Sequence, residues 1–109
     1  MGATKTDLFT AKQNELANMA KAIAHPARIA ILQKVLRAQG CVCGSLVEEL
    51  GLAQPTISQH LKELKNAGLL RGNVEGTSVC YCIEPETWNK YRDILAGFFV
   101  AVNEQGTCC

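Results

Sequence analysis

Apolar residues recur at helical spacing through most of this chain, and turn-forming residues punctuate them. A first helix is expected from about Asp7 to Ala22, with Leu16, Met19 and Ala20 on one face, continued by Ile23. His25-Pro26 opens a second helix, proline being tolerated in a first turn. Ile29, Leu32, Val35 and Leu36 give it an apolar stripe, and Gln39-Gly40 ends it. Ser45-Leu46-Val47-Glu48 has the form of a capping box, in which each end residue satisfies the other's free backbone N–H. Gly51 closes that helix early, and Gln54-Pro55 starts another almost at once. Its apolar positions Ile57, Leu61 and Leu64 follow i, i+4, i+7 spacing, and Gly68 stops it. A short capped helix, a tight turn and an amphipathic helix make a helix-turn-helix.

The period then changes. Leu69 to Gly72 and Val79 to Ile83 read as two strands around a polar, glycine-containing loop from Asn73 to Ser78, a hairpin wing placed after the second helix of the motif. Pro85 opens a last helix in which Trp88, Tyr91, Leu95, Phe98 and Val102 step 3-4-3-4, a heptad-like seam. The expected fold is mostly α with a small β-hairpin, a winged helix-turn-helix of order α-α-α-α-β-β-α in one domain over 1–109. The last seam can pack on its own chain's first helix. A dimer interface built from both helices is favoured, because a 109-residue chain gains by sharing apolar surface.

Composition narrows the class. With 48% hydrophobic residues the chain suits one domain with a modest core. Net charge is +1, but residues 1–47 carry six Lys/Arg against two acids, and residues 48–109 five against eight. Lys21, Arg28, Lys34 and Arg37 form an acid-free run, read first as a solvated helix face and second as a strip facing phosphates. No segment approaches the roughly 20 apolar residues of a membrane helix, and the N-terminus lacks a signal-peptide run. A cytoplasmic protein is expected. Six cysteines there point to metal ligands or redox sensors rather than structural disulfides.

With Ile57, Leu61 and Leu64 facing the core, Gln59 and Lys62 project the other way, flanked by Pro55, Thr56 and Ser58, with Gln54 at the helix entrance. Gln, Ser and Thr can bond base edges in the major groove, while Lys62 suits phosphate. Arg71, Asn73 and Thr77 on the wing are placed to reach backbone or minor groove. His60, on the border, is a packing or phosphate-contact residue.

Cys41-Val42-Cys43 is the strongest chemical signal. Just ahead of the Ser45 cap, both sulfurs are expected near a helix N-terminus, where partial positive charge favours thiolate. Two thiolates are an incomplete site. The rest must come from Cys108-Cys109, from Cys80 and Cys82, or from a second subunit. The five residues beyond Glu104 reach roughly 16 Å. Arsenite on three thiolates, or a tetrathiolate cadmium, lead or zinc site, could then form. Cys80 and Cys82 share one strand face, where packing and ligation weigh equally. Oxidation is the other use of such thiols. A Cys-x-Cys or vicinal disulfide is strained, which favours a long-range pair such as Cys41 with Cys109.

The element order, the string from Gly51 to Leu64, Ala24-His25-Pro26-Ala27-Arg28, Ala67-Gly68-Leu69-Leu70 and the wing from Glu75 to Tyr81 together resemble the ArsR/SmtB family of bacterial metal-responsive repressors. The resemblance covers nearly the whole chain. It implies a homodimer that binds a two-fold symmetric, double-stranded DNA operator, represses, and lets go when its inducer binds. Cys41-Val42-Cys43 resembles the family's trait used for arsenite, antimonite, cadmium or lead. Two departures stand. The arsenic pattern has a third Cys where this chain has Leu46, and the cadmium/lead pattern draws Cys from an N-terminal arm that here has none. The family's zinc site on the last helix needs His, absent between Pro85 and Cys109. The expected function is a repressor released by arsenite or antimonite. The alternatives are the same scaffold sensing cadmium, lead or thiol oxidation, and a metallochaperone without a DNA role. An enzyme is not expected, since neither His25 nor His60 is placed to serve a cysteine as base.

Overall fold

Local chemistry sets the helix boundaries in the computed structural model, which describes residues 8–43, 46–75 and 78–100. Helix α1 (Ala11–Ile23) begins at a reciprocal cap: Thr10 Oγ1 accepts the Gln13 N–H at 3.0 Å, and Gln13 Oε1 accepts the Thr10 N–H at 2.9 Å. That cap moves the start from near Asp7 to Ala11. Helix α2 (Pro26–Arg37) is capped by its own histidine, His25 Nδ1 accepting the Ala27 N–H at 3.0 Å. It stops where Gln39 and Gly40 take positive φ. After strand β1 (Cys41–Cys43) come α3 (Leu46–Leu50) and α4 (Gln54–Asn66). The Ser45 side of the expected capping box lies outside the described residues. Gly68, at φ +83°, ends α4, and a Cβ there would sit 3.3 Å from Thr87 Oγ1, so both backbone and space ask for glycine. Strands β2 (Leu70–Glu75) and β3 (Ser78–Ile83) and helix α5 (Pro85–Val100) complete the chain.

The core lies where α2, α3 and α4 meet the base of the wing. Ile31, Leu32, Val35, Leu46, Ile57, Leu61, Leu64, Leu69 and Leu70 form one buried cluster. The α4 stripe is the one its spacing predicts. In α2 the buried side is rotated: Ile31 joins Leu32 and Val35, while Ile29 and Leu36 stay 40% and 43% exposed. The reason is that α2 has two apolar neighbours. Ile31 and Val35 face the helix-turn-helix, whereas Ile29 and Leu36 line a cavity of about 310 Å³ toward Trp88 and Leu95 of α5.

The sheet corrects the expected order, which becomes α-α-β-α-α-β-β-α. Its strands run β1-β3-β2, all antiparallel. Three residues are too few to show an alternating pattern. Strand β1 exists because β3 offers it an edge, with Ile83 N–H bonded to the Gly40 carbonyl at 2.7 Å starting the ladder. The hairpin is also longer than expected. Strand β2 continues through Asn73 to Glu75, opposite Ser78, because a ladder is made by backbone groups and tolerates polar side chains.

Helix α5 rests more lightly. Trp88 and Tyr91 pack partly on the core, Tyr91 O–H donates to the Ala67 carbonyl at 3.4 Å, and Lys90 pairs with Glu15 of α1 at 3.2 Å. No described residue of α5 is buried, and Phe98 and Phe99 are 57% and 70% exposed. Val102, the end of the expected seam, lies outside the described residues. Among those residues no helix is long and apolar enough to cross a membrane.

Candidate nucleic-acid interface and cysteine cluster

Helix α4 turns Ile57, Leu61 and Leu64 inward, so Gln54, Pro55, Thr56, Ser58, Gln59 and Lys62 are left outward and exposed. Two of these are held along the helix: Gln54 Nε2 donates to Ser58 Oγ at 3.1 Å, and Gln59 Nε2 to Glu63 Oε2 at 2.9 Å. Ala53 caps α4 without a side-chain hydrogen bond among the described residues. A cleft of about 190 Å³ between this face and the wing is lined by Ser58, Lys62, Lys65 and Tyr81. Lys65 was passed over in the sequence, although it lies one turn beyond Lys62 and the spacing could have found it.

The inner border of α4 is more structured than its sequence suggests. His60 is buried, its Nδ1 accepts Arg28 Nε–H at 3.2 Å, and its ring centre lies 4.3 Å from that of His25. Arg28 also donates to the Ala22 carbonyl at 3.1 Å. Burial pushes the His60 pKa below its usual value, the charges of His25 and Arg28 push the same way, and Glu63 opposes them. Arg28, half-buried, is therefore held by partners within the chain, and Lys34 pairs with Glu49 of α3. Two of the four cations in the basic run, Arg28 and Lys34, thus have partners within the chain.

On the wing, Arg71 is exposed and pairs with Glu84 at 3.4 Å. Asn73 sits in β2 rather than in a loop, exposed, with Nδ2 donating to Cys82 Sγ at 3.8 Å. Thr77 lies outside the described residues.

The cysteines need the largest correction. Cys41 and Cys43 are in strand β1, which ends three residues ahead of the first residue of α3, and face Cys82 and Cys80 across the ladder. Cys41 is joined to Cys82 and Cys43 to Cys80, with Cα atoms 4.0 and 4.1 Å apart. These are the close, non-hydrogen-bonded kind of antiparallel pair, in which side chains approach most nearly. The expected link of Cys41 to Cys109 is replaced by Cys41–Cys82 because register delivers that partner directly. Cys108 and Cys109 lie outside the described residues. Cys80 and Cys82 are 6% and 5% exposed, while Cys41 and Cys43 stand at the surface. With the sulfurs tied in pairs, no three His, Cys, Asp or Glu among the described residues are arranged to hold a metal. The four donors of the two pairs are all sulfur, the ligand type that soft ions take when it is present as thiolate.

A family profile described as "Bacterial regulatory protein, arsR family" matches residues 25–71, from the α2 cap into β2. An uncharacterized HTH-type transcriptional regulator of Methanocaldococcus jannaschii is 43% identical over 74 residues, 66% of this chain and 81% of that protein. The chain belongs to the ArsR/SmtB family. That family consists of transcriptional regulators rather than enzymes. The HTH-type regulator CmtR of Mycobacterium tuberculosis is 30% identical over 97 residues, 89% of this chain and 81% of its own length. The repressor SmtB of the same organism is 46% identical over 61 residues, but the chain spans only 44% of that relative. Among solved structures, an ArsR family transcriptional regulator superposes with TM-score 0.67 at 25% identity, covering 86% of this ArsR-family chain and 96% of the other. The antimony-specific repressor AntR superposes with TM-score 0.63 at 23% identity, a likeness of fold. Cys41 and Cys43 fall inside the family match, and Cys80 and Cys82 outside it.

Proposed function

We propose that this ArsR-family chain is a single-domain, cytoplasmic, homodimeric repressor. It sets α4 in the major groove of a palindromic operator and lets go when a thiophilic ion binds its cysteine thiolates. The observation that carries this reading is the outward face of α4, where Gln54, Thr56, Ser58, Gln59 and Lys62 are exposed opposite the buried Ile57, His60, Leu61 and Leu64. Gln59 and Ser58 read base edges, Lys62 and Lys65 neutralise phosphates, and Pro55 fixes the entry of the helix. Arg71, Asn73 and Thr77 carry the wing contacts. The exposed apolar seam of α5, with α1 beside it, is the surface two copies share.

Arsenite or antimonite is the first inducer on this reading, with cadmium and lead next. Cys41 and Cys43 are the primary ligands, and the set is completed either by Cys108 and Cys109 or by Cys80 and Cys82. The resemblance in fold to an antimony-specific repressor supports the choice. The test is fluorescence anisotropy of reduced protein against palindromic and random duplexes. A specific site binds in the range of about 10⁻⁸ M or tighter. Gln59→Ala relaxes base preference by about 1–3 kcal/mol at one position. Lys62→Ala weakens every duplex alike and lowers the salt slope by about one. Equal binding of all duplexes refutes the reading.

A further inference from the structure

Register fixes more about the sensor than the spacing of its cysteines does. Strand β1 is the segment between α2 and the helix-turn-helix, and β3 is the inner strand of the wing. The β1–β3 ladder sets Cys41 against Cys82 and Cys43 against Cys80, and residues two apart on a strand share a face. All four sulfurs therefore stand on one side of one sheet, in one protomer. The two pairs are roughly 7 Å apart along the strands, and within each pair the Cα atoms are about 4 Å apart. The array is half open: Cys41 and Cys43 meet solvent, and Cys80 and Cys82 back onto the protein.

We propose that Cys80 and Cys82 complete the sensor from the wing, so that Cys41, Cys43, Cys80 and Cys82 bind one thiophilic ion within a protomer when reduced. Pairing Cys41 with Cys82 and Cys43 with Cys80 shuts that site. The inference rests on the repressor reading above and supplies its missing ligands. Arsenite, As(OH)₃, exchanges three hydroxyls for three of the four thiols and releases three waters. Closing one pair instead passes two electrons and two protons from two thiols to a hydroperoxide, which leaves as water and an alcohol. A dithiol reductant restores the thiols by exchange and is itself oxidised to a disulfide. Ion and oxidant compete for the same sulfurs, so an oxidised repressor is deaf to the ion. Either event braces the wing against the strand that leads into α3, which ties the chemistry to the DNA-reading unit.

The test titrates reduced full-length protein with sodium arsenite and with cadmium chloride, following thiolate charge-transfer absorption, and measures operator binding in parallel. One ion per protomer is expected. The Cys80→Ser/Cys82→Ser protein, which keeps only Cys41 and Cys43 of the four, should bind either ion at least tenfold more weakly while still binding operator, which certifies its fold. The Cys108→Ser/Cys109→Ser protein should stay within twofold of wild type. Peroxide should give Cys41–Cys82 and Cys43–Cys80 peptides by mass mapping and abolish ion binding, with recovery in dithiothreitol. Ion binding within twofold of wild type in the Cys80→Ser/Cys82→Ser protein overturns the four-thiol site. So does persistent ion binding after the pairs have closed. If wild-type protein binds neither ion, the inducer reading and this one fall together. If the ion binds through the four thiols yet the operator is not released, the site stands and the inducer reading falls alone.

Discussion

The helix-turn-helix half and the α1–α5 pair both carry apolar residues at helical spacing, yet they bury them differently. Around α2 and α4, Ile31, Val35 and Leu64 have no exposed surface. In α5, Trp88, Tyr91 and Leu95 are only partly covered, while Phe98, Phe99 and Val100 are exposed. Intrachain packing therefore satisfies one half and leaves the other unfinished. Contiguous exposed apolar surface at a helix seam marks an interaction site, and each buried Å² there contributes about 25 cal/mol. The contrast separates the part of the chain that holds its own fold from the part we assign to self-association.

Mutations can break this contrast. The largest effect is expected for Leu64→Ala, which opens a cavity in the finished half and should cost about 2–5 kcal/mol in urea unfolding. A loss below 1 kcal/mol would mean the core is not centred on α4. Next, Phe98→Ala should leave the protomer core intact and raise the dimer dissociation constant about tenfold or more in sedimentation equilibrium. An unchanged constant would move the interface elsewhere.

A pH series sharpens the same comparison from the α2–α4 side. The folded state lowers the His60 pKa from its ordinary 6.5, so below that pH the unfolded chain binds more protons than the folded one. The stability contributed by neutral His60 is present above pH 6.5 and is lost as pH falls through the lowered value. Urea midpoints should drop on acidification, and His60→Gln should flatten the profile; an equally steep profile in that variant assigns the titration to another group. The smallest effect belongs to the outer pair: Thr10→Ala removes the α1 cap and should cost about 1 kcal/mol, read from the thermal midpoint.

The fold was largely legible because its signals are local. The α4 stripe, the stop at Gly68 and the α2 start at His25-Pro26 each act within a turn or two, and all three stand where the pattern placed them. The outward set on α4 followed from the inward one, since a helix with one buried face has only one other to present. Strand β1 was missed because three residues carry no periodicity. The His25–Arg28–His60 contact was missed because nothing in a chain announces which histidine a distant arginine will meet.

The cysteines mark the boundary most sharply. The sequence by itself determined that Cys41 and Cys43, and likewise Cys80 and Cys82, share a face whenever their segments are extended, because strand side chains alternate with period two. Only the tertiary structure decided that the two segments are neighbours and in register, 41 and 37 residues apart along the chain. Strand pairing across such a loop is set by which edges the packed core leaves free. That is a property of the whole assembled sheet and of no short stretch of sequence.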